Sequence, residues 1–372
     1  MKHYVLDART ATPHFPGIGR YCTSLSKALI PILREDERLT ILCDADYPID
    51  LPNRANVDSL PLTISPFSVR QQWAIPRILD NLKADVYHSA YYLMPYRPHV
   101  PSLVTFYDLI PVRFPQYSSW RAQVLFRLAS NMALKTAKYC IAISKATMHD
   151  IKSYLRCGTV QIFTTPLAPA TQFMPQGTDK VHKIRAKYNL PTLFTLYLGS
   201  NKPHKNLSAL IEAYARVRNL DIPLVIAGTW LPHYPESRQL TTALGLDSTR
   251  IRWLGTIPGE DLPALYTAAQ LFIFPSLAEG FGLPVIEAMA CGTPVVCSNI
   301  PALTEVTEDA AALFDPTDIG SMTEAIRSII TDKVHQNILR QRGLKCVQDF
   351  SWQKTAQTTL NLYRQTTHLS FD

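Results

Sequence analysis

Hydrophobic positions along the chain follow two alternating rhythms. Short apolar runs, rich in Val, Ile, Leu and aromatic residues, alternate with longer segments in which apolar positions recur every three or four residues. The first pattern fits strands buried on both faces, and the second fits amphipathic helices. In the first half, residues 4–7, 39–43, 86–88, 102–107 and 140–143 read as strands, and 18–33, 71–82 and 119–136 as helices. Ser144 stands at a strand-to-helix junction, where its hydroxyl can accept from the first free N–H groups of a helix running to about Tyr154. Residues 161–175 are Pro-rich and break the rhythm. It resumes with strands at 195–199, 224–228, 251–254, 271–275 and 294–297. Helical segments fall at 206–217, 238–244, 261–268, 284–290, 300–304 and 319–330, and a last helix at 350–363. This alternation predicts an α/β architecture with parallel sheets. Two doubly wound domains are expected, 1–175 and 176–350, with 351–372 as a closing helical segment. Such sheets bind ligands at the carboxyl ends of their strands, where the strand order reverses, so a ligand between the two domains is expected.

Composition narrows this picture. The 372 residues are 47% hydrophobic and 18% charged, which fits two well-cored domains and excludes wholesale disorder. The net charge of +7 suits nucleic acid, anionic lipid or a phosphorylated small substrate. No Lys/Arg block reads as a nucleic-acid tail, so nucleic acid is not an expected partner. Seven scattered cysteines, without a C-x-x-C, suit reduced, buried thiols in a cytoplasmic protein. The opening apolar run is too short for a signal peptide, and no stretch approaches the roughly 18 apolar residues of a membrane span.

The densest chemical signal lies between Phe274 and Pro294. A buried strand ends at Pro275, a loop with Gly280 and Gly282 follows, Pro284 opens a helix and Gly292 closes it. Glu279 falls on the loop and Glu287 in the early turns of the helix. Between them lie free backbone N–H groups at a helix N-terminus, a ready anion site. One carboxylate before a phosphate cradle and one after it can grip hydroxyls on either side of a diphosphate, as in a sugar nucleotide. Two isolated carboxylates at this spacing would ordinarily be surface groups; the strand, glycines and proline around them favour the functional reading.

This segment resembles the E-x7-E signature of the retaining glycosyltransferase family 4, and the resemblance covers nearly the whole chain. It implies the GT-B fold, two Rossmann-like doubly wound domains facing each other across a cleft. It also implies an N-terminal acceptor domain, a C-terminal nucleotide-sugar domain and a last helix crossing back to the N-terminal domain. By the same resemblance Glu279 contacts the donor hexose and Glu287 the ribose, while Gly280, Phe281, Gly282 and Leu283 hold sugar and phosphates. The stretch from Leu198 to Leu207 resembles the family's phosphate-binding turn, with Lys205 as its cation. The usual Arg near Ser200 is absent, and Lys202 is a candidate second charge. Gly17, Gly19 and Arg20 resemble the N-terminal Gly-rich turn that approaches donor phosphate and acceptor; a plain tight turn is the simpler alternative. The stretch Thr105-Phe106-Tyr107-Asp108-Leu109-Ile110-Pro111 resembles the family's T-x-H-D-L-I-P, with Tyr107 in place of the usual His. Tyr107 can donate a hydrogen bond but does not titrate near neutral pH. Asp108 is either functional or a local cap. His88 is an acceptor-side candidate or a satisfied structural histidine, and Ile257 a candidate base contact.

The expected activity is hexosyl transfer from UDP-glucose or GDP-mannose to a saccharide or lipid-linked saccharide, with retention and without metal or other cofactor. The reading leans to UDP-glucose, with no residue that decides. A polysaccharide or glycolipid role follows from the family. No metal-ligand cluster of His, Asp and Glu is legible. A dehydrogenase would need a third glycine and an adjoining strand at Gly17 and Gly19. An epimerase fits the E-x7-E segment poorly. A nucleotide-sugar-binding subunit without turnover stays open because of Tyr107. The basic, apolar segment 119–138 can rest on anionic lipid, or pack on the core with a solvated basic face; a cytoplasmic protein, peripheral on the inner membrane face, fits the first case.

Overall fold

The computed structural model describes residues 1–217 and 221–367. The chain divides into two compact units, Met1–Leu167 together with Ser351–Asp372, and Ala168–Phe350. Unit 1 carries strands β1 (Lys2–Asp7), β2 (Glu37–Asp44), β3 (Val57–Leu62), β4 (Val86–Ser89), β5 (Ser102–Phe106), β6 (Tyr139–Ala142) and β7 (Gln161–Thr164). They form one sheet in the order β3-β2-β1-β4-β5-β6-β7, with every pairing parallel. Its helices are α1 (Pro16–Leu29), α2 (Gln71–Leu82), α3 (Ile110–Arg113), α4 (Trp120–Thr136) and α5 (Lys145–Tyr154). Ser119 and Ser144 cap α4 and α5 through their hydroxyls.

Unit 2 repeats the plan with β8 (Thr195–Leu198), β9 (Leu224–Ala227), β10 (Ile251–Gly255), β11 (Leu271–Phe274), β12 (Val295–Ser298) and β13 (Ala312–Phe314), ordered β10-β9-β8-β11-β12-β13. Helices α6 (Thr178–Lys187), α7 (Leu207–Arg216), α8 (Glu236–Ala243), α9 (Leu262–Ala268), α10 (Leu283–Ala290), α11 (Pro301–Thr307), α12 (Ile319–Thr331) and α13 (Lys333–Cys346) surround the sheet. One face packs on α9 and α10, the other on α7 and α12. The central strands β11 and β12 are wholly buried, as a parallel sheet covered on both faces requires.

The departures from expectation share a cause. Strands β3, β7 and β13 are edge strands, and two have a half-polar or exposed burial pattern. Helix α6 buries only Ile184, and α13 buries Gln336, Leu339 and Gly343. Such elements carry little apolar periodicity. Residues 161–175, where the rhythm breaks, contain β7, and Phe173 lies in the core of unit 2. The unit boundary therefore falls at Leu167 and not at 175.

The closing helix α14 (Trp352–Thr366) packs on α1 in unit 1. Its Thr355 hydroxyl donates to the Pro166 carbonyl at 2.6 Å. Arg364 grips the Glu37 carboxylate through two hydrogen bonds of 2.6 and 2.9 Å, and the Tyr4 hydroxyl adds a third at 3.2 Å. Burial alone would raise Glu37, but the Arg364 hydrogen bonds, the Arg34 N–H and the guanidinium charge hold it below the usual carboxylate range. Glu37 is only 3% exposed, so removing its cation strands a buried charge. Arg364→Ala should destabilise unit 1 by about 3 kcal/mol in urea denaturation, and Glu37→Gln added to it should recover part of the loss.

Candidate functional site

In unit 2 the strand order reverses between β8 and β11, and the two loops leaving their carboxyl ends carry the expected site. Residues 199–206 follow β8 and residues 275–282 follow β11. The loops are tied by the Leu277 N–H, which donates to the His204 carbonyl at 2.8 Å. Across the same gap the Lys205 ammonium donates to Glu279 Oε1 at 2.6 Å, with side chains 19% and 11% exposed. The ammonium also stands 5.3 Å from the centroid of the Phe274 ring. Lys205 and Glu279 are thus placed side by side at the switch point. Lys202 is exposed just before the 3-10 turn Pro203–Lys205.

Helix α10 starts on the same edge. Gly282 precedes it at φ +108, a left-handed conformation that favours glycine, and a Cβ there would lie 2.5 Å from Leu303 Cδ2, so that methyl would have to shift. The helix start has no side-chain cap, which leaves backbone donors around Phe281, Gly282 and Leu283 for an anion. The Phe281 ring itself is buried, edge-on to Phe350 at 5.8 Å. Gly280 completes the loop. Glu287 is 1% exposed and accepts from the Tyr266 hydroxyl at 3.2 Å. The Ile257 side chain belongs to the core, so only its backbone is available to a ligand. Behind the β8 loop, Gly228 (φ +125) lies so close to Gly199 that a Cβ would come 2.1 Å from the Gly199 carbonyl oxygen. That contact bounds a small pocket lined in part by Asn201, Trp230, Arg238 and Trp253.

Unit 1 alters several expectations. Gly17 and Gly19 form no separate turn: with Pro16 and Arg20 they make the first turns of α1, and the Gly19 N–H donates to the Phe15 carbonyl at 2.9 Å. That helix start has no side-chain cap, and a Cβ on Gly17 would meet no atom within 4 Å. The Tyr107 hydroxyl is buried without a hydrogen-bond partner, and its ring stands edge-on to Tyr21 at 5.4 Å. Burial, with Cys22 and Tyr21 as neighbours, pushes that hydroxyl well above the usual phenol range. It therefore keeps its proton at neutral pH. Asp108 accepts from the Ile110 N–H at 3.1 Å at the start of α3, a local cap. His88 is fully buried. Its Nδ1 pairs with the Tyr363 hydroxyl at 2.7 Å and its Nε2 with Thr105 Oγ1 at 2.8 Å. The acceptor role expected for His88 is thus replaced by a structural one, because both ring nitrogens are spent holding α14 to β4 and β5.

Two family models match the chain, Glycosyltransferase Family 4 over residues 16–168 and Glycosyl transferases group 1 over residues 180–345. O-antigen chain mannosyltransferase B of Escherichia coli is 31% identical over 371 residues, covering 94% of this chain and 96% of its own. The chain belongs to the family 4, group 1 glycosyltransferases. Sucrose-phosphate synthase from Thermosynechococcus elongatus superposes with a TM-score of 0.79 at 22% identity over 100% of both chains. Anabaena HepE in complex with UDP-glucose does so with 0.77 at 18% identity, over 98% of this chain and 100% of that one. The fold of this glycosyltransferase is therefore GT-B.

Two groups at the site escaped the sequence reading. Tyr197 donates to the Ser200 carbonyl at 2.7 Å, and burial and the nearby Glu279 raise its hydroxyl above the usual range. His204 is lowered to about 3 by burial and by Lys205 and Lys202. Neither residue stands out by its own type, since each acts through what the two loops bring beside it. His88 is also lowered to about 3, by burial. Its folded value lies below the unfolded 6.5, so its contribution is complete above pH 6.5 and is lost as the pH falls toward 3. Thermal denaturation of the transferase between pH 7 and 4 should show falling stability, and His88→Gln should flatten that slope. An unchanged slope would mean that His88 takes up its proton without unfolding.

Proposed function

We propose that this glycosyltransferase moves a mannosyl residue from GDP-mannose to a saccharide or lipid-linked saccharide, with retention of configuration and without metal. The observation that carries the reading is the Lys205–Glu279 pair across the β8–β11 switch point. It offers a cation for a diphosphate and, beside it, an acceptor for hexose hydroxyls. The uncapped start of α10 adds backbone donors for the phosphates, and Glu287 receives the ribose. As the C1–O bond to the diphosphate breaks, Lys205, Lys202 and these N–H groups meet the developing negative charge. The acceptor oxygen bonds to C1 on the same face and its proton passes to the departing phosphate oxygen, leaving GDP. Tyr107, with its buried hydroxyl, takes no part. The choice of mannose over glucose is supported by the name of the Escherichia coli relative, as is a role in polysaccharide assembly. A binding subunit without turnover is the alternative.

Turnover of GDP-mannose, followed as GDP release with a mannosaccharide acceptor, tests the reading against UDP-glucose in parallel. Lys205→Ala and Glu279→Ala should each lower kcat about 100- to 1000-fold. Stabilisation by GDP-mannose without release under any acceptor would favour the binding subunit, and release of UDP alone would move the donor to UDP-glucose.

Peripheral membrane contact belongs to the same proposal. No described helix is long and apolar enough to cross a membrane. Yet α4 buries Phe126, Ala129, Ala133 and Leu134 while leaving Trp120 68% and Leu125 66% exposed, with Val124, Leu128 and Met132 also outward. Arg121, Arg127 and Lys135 are exposed on this helix, which contains no acidic residue, and the Arg121 guanidinium lies 5.5 Å from the Trp120 ring. Apolar rings flanked by cations suit an anionic bilayer surface. Co-sedimentation with phosphatidylglycerol vesicles should be strong for the wild type and at least roughly tenfold weaker for Leu125→Glu/Leu128→Glu. Equal binding by both proteins would refute this contact.

A further inference from the structure

Unit 1 has its own reversal of strand order, between β1 and β4. Three loops on the carboxyl side of its sheet each contribute an aromatic ring: Phe15 after β1, Phe67 after β3 and Tyr91 after β4. Phe15 and Phe67 are stacked at 5.7 Å with 24° between their planes. Tyr91 meets Phe15 at 6.0 Å and Phe67 at 6.2 Å. The group is anchored inward, since Tyr91 packs on Tyr92 at 4.3 Å and Tyr92 on the buried Phe126 at 4.6 Å. It is open outward: Phe67 is 54% exposed.

A ring cluster assembled from three loops and left in water calls for an occupant. Its rim is polar. The exposed His14 stands edge-on to Phe15 at 4.6 Å. Burial and then the neighbouring Tyr92 raise the Tyr91 hydroxyl, with a smaller contribution from the Asp108 carboxylate. The outward Phe67 ring, with an imidazole at the rim of the cluster, matches a pyranose ring. One face of such a sugar presents C–H groups to an aromatic ring, and its edge presents hydroxyls to acceptors. An acyl chain would gain nothing from that rim. The location agrees, because the outer loops of a doubly wound sheet at its switch point are where ligands bind.

We propose that Phe15, Phe67 and Tyr91 form a stacking platform for the terminal sugar of the acceptor. This rests on the glycosyltransferase reading and assigns the acceptor side of it. Saturation-transfer NMR on the full chain with an α-linked mannotriose as probe tests it. Saturation should reach the pyranose C–H protons, and affinity should fall roughly tenfold in Phe67→Ala and in Phe15→Ala, and be restored in Phe67→Tyr. Stabilisation by GDP-mannose should be unchanged in all three variants. Absence of saturation transfer to the wild type, or equal affinity in both alanine variants, overturns the platform. Loss of GDP-mannose binding by the wild type would count against the donor reading and leave the saccharide result to stand by itself.

Discussion

Between β8 and β11 the connecting helices leave on opposite faces of the sheet, α7 on one and α10 on the other. The gap this opens at the strand ends is bridged by a single ion pair, Lys205 with Glu279, and by the backbone bond from Leu277 to His204. Everything proposed for the donor depends on that bridge. The topology supplies the opening, and the α10 start supplies donors without side-chain caps. In the proposed donor mode the pair supplies one charge of each sign, for a diphosphate and for an adjoining hydroxylated ring. Largely withdrawn from water, the two groups act on a ligand more strongly than they would on the surface.

In unit 1 burial has the opposite effect. Tyr21, Thr105, His88 and Tyr363 form a linear chain of hydrogen bonds that ends on α14. Such a chain is stabilising only when every member is satisfied. It commits the histidine to holding the final helix, helped by the charged grip of Arg364 on Glu37. Tyr107, next along from β5, faces inward toward Tyr21 for the same reason: the neighbouring aromatic packing claims its ring. Tyr107, where the family resemblance implies a histidine, is here part of the core.

Exposed apolar surface marks where unit 1 has unfinished contacts. On α4 it forms a helical stripe flanked by cations, and around Phe15, Phe67 and Tyr91 it forms a ring cluster edged by hydrogen-bonding groups. The difference in rim chemistry separates a surface suited to lipid from one suited to sugar. Composition alone does not draw that distinction, since both patches contribute only aromatic and aliphatic residues to the same totals.

The order of central strands and helices, the E-x7-E loop, the glycines around it and the cation of the phosphate turn were all legible in the sequence. They are local: a buried strand is an apolar run, and a helix start after glycine leaves its own donors open. The family itself was legible on the same residues. Edge strands β3, β7 and β13 and the polar helices α6 and α13 were not, because an element half in water has no strong periodicity. The pairing of Lys205 with Glu279, the burial of His88 and Tyr107, and the meeting of Phe15 with Phe67 and Tyr91 were decided by tertiary structure. Each joins residues from separate strands, and only the strand order of a sheet determines which loops become neighbours.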